Sequence, residues 1–160
     1  MDNISKLLAM LLGVTSLFVF IVIPTSAADQ QGLTIAKVES WLNGYKEAWE
    51  TLDADKVTLL FTEDATYQED PYKDPYQGRE SIHEYWTTVT ADQQDVDFTF
   101  EVLSVRGKTG IAHWHSEFIQ PSSGSTIILD GIFILEFSQE ELCRNLREWW
   151  HFKAIPAKEN

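Results

Sequence analysis

The stretch "GRESIHEYWTTVTADQQDVDFTFEVLSV", Gly78 to Val105, changes its apolar period half-way along. In its first half Ile82, Tyr85, Trp86 and Val89 recur at three- and four-residue steps, which is one face of an amphipathic helix. From Val96 onward apolar residues fall on alternate positions, the period of a half-buried strand. That alternation slips phase at Val102/Leu103, which predicts a bulge or a strong local twist.

Working toward the N-terminus, Val38, Trp41, Leu42, Tyr45, Ala48, Trp49 and Leu52 mark a first helix with Thr34 as a plausible cap. Asp53 can cap a second, shorter helix that buries Val57, Leu60 and Phe61, and "ATYQE" then reads as a short strand. Toward the C-terminus every segment keeps the strand period. "IAHWHSEFI", "TIILDGIFILEF" and "LCRNLREWWHF" are separated by the turns "QPSSGS" and "SQEE". Three helices ahead of a run of antiparallel strands predict an α+β architecture, with the helices on one face of a curved sheet. Helices laid across the concave side of a twisted sheet leave a pocket between the layers.

Between the first strand and the third helix lies "EDPYKDPYQ", in which Asp-Pro-Tyr occurs at Asp70 and again at Asp74. Its prolines remove backbone donors and exclude helix or central strand. The loop sits at the boundary of the two layers and is read as the rim of a site.

The chain of 160 residues carries a net charge of −13, which argues against nucleic acid and anionic membrane surfaces as partners. Cys143 is the only cysteine, so no internal disulfide is expected. The charge-free run "LLAMLLGVTSLFVFIVI", Leu7 to Ile23, is followed by small residues at Thr25 and Ala27. That layout predicts a signal peptide over residues 1–27, with one exported domain over 28–160, periplasmic or secreted and free of the membrane after cleavage. An uncleaved anchor is the alternative, because the run is long for a leader.

The segment "YKEAWETLDADKVTLLFTEDATYQEDPYKDPYQGRESIHEYW" resembles the opening of the nuclear-transport-factor-2-like superfamily, and "LDGIFILEFSQEELCRNLREWW" resembles its last hairpin. This is the cone-shaped fold shared by SnoaL-like polyketide cyclases and ketosteroid isomerases. The resemblance implies one SnoaL-like domain with an internal pocket, and it implies roles. Tyr45, twenty residues before Ala65, matches an oxyanion-binding tyrosine. Asp70, before Pro71, matches a general base, with Glu69 as its ungapped rival and Tyr72 at the pocket's lip. Phe133 stands where those isomerases have a second, acidic oxyanion donor, which disfavours steroid isomerisation.

The stretch "AHWHSE" admits two readings. Alternation alone puts Trp114 inside and His113 and His115 in solvent, whereas the resemblance aligns both histidines with pocket-lining positions, as proton shuttles. By the same analogy Trp150 faces inward and Glu148 is a pocket carboxylate; the plainer reading pairs Glu148 with Arg147 at the surface. Two histidines two apart can bind zinc, but no convincing third ligand exists, so neither metal nor cofactor is expected.

The resulting expectation is a cofactor-independent isomerase, cyclase or dehydratase acting on a small apolar carbonyl compound. Asp70, Tyr45, His113 and His115 would be catalytic, and Glu69, Tyr72, Phe133, Glu148 and Trp150 would bind substrate. The alternative is a non-catalytic ligand-binding or dimerisation module, with Trp114, Phe118 and Trp149 as the contact of a homodimer.

Overall fold

The computed structural model describes residues 32–157, so the expected leader over residues 1–27 lies outside the described residues. The element order is α1 (Ile35–Glu50), α2 (Ala54–Leu59), β1 (Phe61–Gln68), β2 (Tyr76–Gln77), α3 (Gly78–Thr90), β3 (Gln94–Arg106), β4 (Thr109–Gln120), β5 (Ser125–Phe137) and β6 (Cys143–Ile155).

Helix starts follow the capping residues. Thr34 accepts a hydrogen bond from the Lys37 backbone N–H at 3.2 Å, and Asp53 accepts one from Lys56 at 3.0 Å. The stripe of α1 is buried at Val38, Trp41, Leu42, Tyr45, Ala48 and Trp49, and that of α3 at Ile82 and Trp86. Leu52, with φ of 55°, turns the chain from α1 into α2.

The six strands form one curved sheet in the order β2-β1-β6-β5-β4-β3. All neighbours are antiparallel except β1 and β6, which run parallel, so the sheet is mixed rather than purely antiparallel. The phase slip read in the sequence is a register shift between Val102 and Ser104 in the β3–β4 ladder, with Leu103 exposed.

The layers meet through rings. Tyr45 of α1 packs edge-on against Trp86 at 5.2 Å and Phe133 at 5.4 Å, and Phe133 stacks on Trp114 at 5.1 Å. The indole N–H of Trp41 donates to the Leu60 carbonyl at 2.8 Å, tying α1 to the end of α2. The backbone N–H of Cys143 reaches the same carbonyl at 2.9 Å, which anchors the start of β6.

Gly131 of β5 lies opposite Trp114 on one side and Trp150 on the other. A Cβ there would sit 2.7 Å from the Trp149 carbonyl oxygen, 2.8 Å from Trp150 Cβ and 2.9 Å from Trp114 Cε2. Glycine therefore lets two indoles pack across one strand. Gly131→Ala should destabilise the domain by about 1–3 kcal/mol in denaturant titrations. Gly32→Ala, where nothing lies within 4 Å, is the control; equal midpoints for the two variants would contradict this packing.

Candidate functional site

Between α1, α3 and the inner face of the sheet lies a cavity of about 510 Å³. Strand alternation builds its wall. On β4 Trp114 and Phe118 face inward, on β5 Ile127 and Leu129, and on β6 Glu148, Trp150 and Phe152. The helices contribute Tyr45 and Trp49 from α1, and Tyr85, Trp86 and Val89 from α3. Apolar walls of this volume with few polar groups are what small-molecule sites look like.

The polar groups are ordered. The hydroxyls of Tyr45 and Tyr67 are 3.1 Å apart, and Tyr67 donates to Glu148 Oε1 at 2.7 Å. Because the single Tyr67 proton goes to Glu148, Tyr45 must donate to Tyr67, and the chain of bonds runs one way. Glu148 is only 5% exposed, and no cation lies against it among the described residues. Burial lifts its pKa from 4.5 to about 8; the Tyr67 hydrogen bond opposes this, and the charge of Glu69 adds to it. At neutral pH Glu148 is therefore mostly a neutral acid. Its Oε1 accepts from Tyr67, which leaves the acid proton on Oε2. Burial, and then the proximity of Glu148, hold Tyr45 and Tyr67 well above the usual phenol range, so both remain donors.

A second carboxyl, Glu69, lines the same cavity. It accepts from Tyr85 at 2.6 Å and, at 3.4 Å, from Tyr76, whose ring stacks on Tyr85 at 4.4 Å. The parallel ladder explains the pairing of the acids. Its last register pair is Gln68 with Arg147; Glu69 is the residue just past the end of β1, and Glu148 is the next residue on β6. Both carboxyls thus emerge where two parallel strands part.

Of the residues expected from the sequence, the structure brings Tyr45, Glu69, Glu148 and Trp150 to this cavity. Others lie elsewhere. Asp70 caps its own turn: its carboxylate accepts the Tyr72 backbone N–H at 2.9 Å and lies 3.4 Å from Lys73 Nζ. These contacts, the backbone N–H first, hold its pKa below the usual carboxylate range, opposite to what a buried base needs. Tyr72 is 96% exposed. His113 and His115 project from the outer face of the sheet, where Asp130 takes His113 Nε2 at 3.0 Å and His115 Nδ1 at 3.2 Å. Period two forces this, since Trp114 between them is buried. Phe133 is fully buried among the rings behind Tyr45 and does not line the cavity.

Trp114 and Phe118 are interior, so the aromatic patch expected to join two copies reduces to Trp149. Among the described residues no group of three or more His, Cys, Asp or Glu is arranged to hold a metal ion.

Two polar groups of the cavity escaped the sequence reading. Tyr67 lies two residues before Glu69 and two after buried Ala65, so period two on β1 was a signal that could have found it. Tyr85 was visible only as part of an apolar stripe.

Among the solved structures similar to this chain are the following two. The epoxide hydrolase/cyclase-like enzyme SalBIII, with a role in pyran ring formation in the polyether salinomycin, is 19% identical with a TM-score of 0.65, over 75% of this chain and 97% of its own. A Bacillus subtilis protein assigned as an isomerase is also 19% identical with a TM-score of 0.65, over 72% of this chain and 87% of its own. Likeness at that identity speaks for the fold, a cone of helices on a curved, unclosed sheet. No curated protein matches the chain by sequence. The model of the SnoaL-like domain matches residues 42–145, well over half of the chain, and the protein belongs to the SnoaL-like domain family.

Proposed function

We propose that this domain is a cofactor-independent acid–base catalyst of the isomerase, cyclase or dehydratase type, acting on a small, largely apolar carbonyl compound. One observation carries the reading: a buried carboxyl, Glu148, whose pKa burial raises to about 8, ends a two-phenol chain in an apolar cavity that also holds Glu69. Sites with two titratable groups in contrasting environments divide acid and base work between them.

Glu69 is the base, and the hydrogen bonds from Tyr85 and Tyr76 fix its orientation. It removes a proton from the carbon beside the substrate carbonyl, and the electron pair moves onto the carbonyl oxygen. Glu148 meets that oxygen with its Oε2 proton, and Tyr67 supports the negative charge that Glu148 takes up as it donates. Tyr45 touches Glu148 only through Tyr67, so it positions the acid. Return of the proton from Glu69 to a different carbon, with the enol O–H proton passing back to Glu148 as the carbonyl re-forms, completes an isomerisation. Trp49, Trp86 and Trp114 exclude water and select apolar substrates. The leader-like pattern of residues 1–27 supports export as the setting.

A second reading, binding without chemistry, draws on the same apolar walls. Deuterium uptake by β-tetralone in D2O, followed by NMR, separates the two. The wild-type protein should accelerate exchange at the enolisable carbon, and Glu69→Gln should lose about 10²–10⁴-fold of that rate. The acid form of Glu148 is the active one, so the rate should fall as pH rises through about 8. An amide does not titrate, so Glu148→Gln should be slower and lack that fall. Exchange that neither substitution alters, with β-tetralone still bound, would establish the binding reading instead.

A further inference from the structure

Beyond Arg147, β6 has no partner on its β1 side among the described residues, because β1 ends at Gln68 and the chain leaves through the Asp-Pro-Tyr loop. The inner cavity lies on one side of this gap. On the other, against the outer face of the sheet, lies a second cavity of about 680 Å³. The two share wall residues Glu69, just past the end of β1, and Trp150, on the unpaired part of β6.

The outer cavity differs in chemistry from the inner one. Trp149 and Trp150 present indole surface to it, 46% and 39% exposed respectively. Its other walls include Asp70, Lys73, Asp130 and His151. Asp70 is matched by Lys73 at 3.4 Å. Glu69 and Asp130 have no Lys or Arg partner among the described residues; their hydrogen bonds come from phenols and imidazoles. With its histidines neutral the chain carries −13, which favours cationic over anionic ligands in general. Indole faces beside uncompensated carboxylates attract an organic cation, through the ring quadrupole and through charge.

We infer that the two cavities form one site for an elongated ligand, whose apolar body occupies the inner cavity while a terminal ammonium group lies in the outer groove between the indoles of Trp149 and Trp150 and the carboxylates of Glu69 and Asp130. This rests on the reading of the inner cavity as the substrate site and adds the chemical class of the substrate's far end. Glu69 lines both cavities, which places the reacting carbon of such a ligand near the crossing point.

Calorimetric titration with phenylbutylamine, phenylbutanol and phenylbutyrate tests it, since the three share an apolar body and differ in charge at the tip. The amine should bind about 10-fold more tightly than the alcohol, and the carboxylate more weakly than either. Asp130→Asn should remove most of the amine's advantage and leave the affinity for the alcohol unchanged, and Trp149→Ala should also remove most of that advantage. Equal affinity for amine and alcohol, or an advantage that survives both substitutions, would overturn the outer subsite while leaving the inner cavity standing. Failure of all three compounds to bind would remove the inner-cavity reading and this inference together.

Discussion

A single carboxyl taken out of water without a counter-charge governs this domain. Glu148 is bonded to one phenol, and the charge of Glu69 pushes it in the same direction as burial does. Its neutral form is the affordable one at neutral pH. Linkage follows from that. Between pH 4.5 and about 8 the folded chain keeps a proton that the unfolded chain gives up, so stability falls as pH rises through this window. The slope is roughly 1.4 kcal/mol per pH unit where the difference is complete. The ring cluster that encloses Glu148 thus maintains a group that works against stability on the alkaline side.

Topology supplies the second carboxyl. Parallel strands in register send equivalent positions to the same face, so the residues following Gln68 and Arg147 both turn inward where the β1–β6 ladder ends. One strand departs into the Asp-Pro-Tyr loop and the other continues as a free edge. Binding crevices commonly form where neighbouring strands of a parallel pair lead in different directions. Here that place holds both acids, with a tyrosine of β1 and another of α3 to orient them.

Much of the fold was legible because it rests on local periodicity. The helical stripes, the inward face of Trp114 and the slip at Val102/Leu103 all follow from spacing alone. The histidines show what happens when analogy displaces spacing: alternation put His113 and His115 in solvent, and the structure agrees with alternation. Asp70 sits outside the inner cavity for a different reason. An aspartate ahead of proline has a local use in its own turn, and the Tyr72 N–H claims it. The bond from Tyr67 to Glu148 joins residues 81 apart in sequence through the one parallel ladder, and no local pattern announces that pairing.

The most direct measurement is the ionisation of Glu148 itself, followed by ¹³C NMR of the side-chain carboxyls and assigned by the signal lost in Glu148→Gln. A titration centred at about 8 is the predicted result. A carboxyl that ionises near 4.5, as an unburied glutamate does, would contradict the account, because the cavity would then hold two carboxylates and no acid.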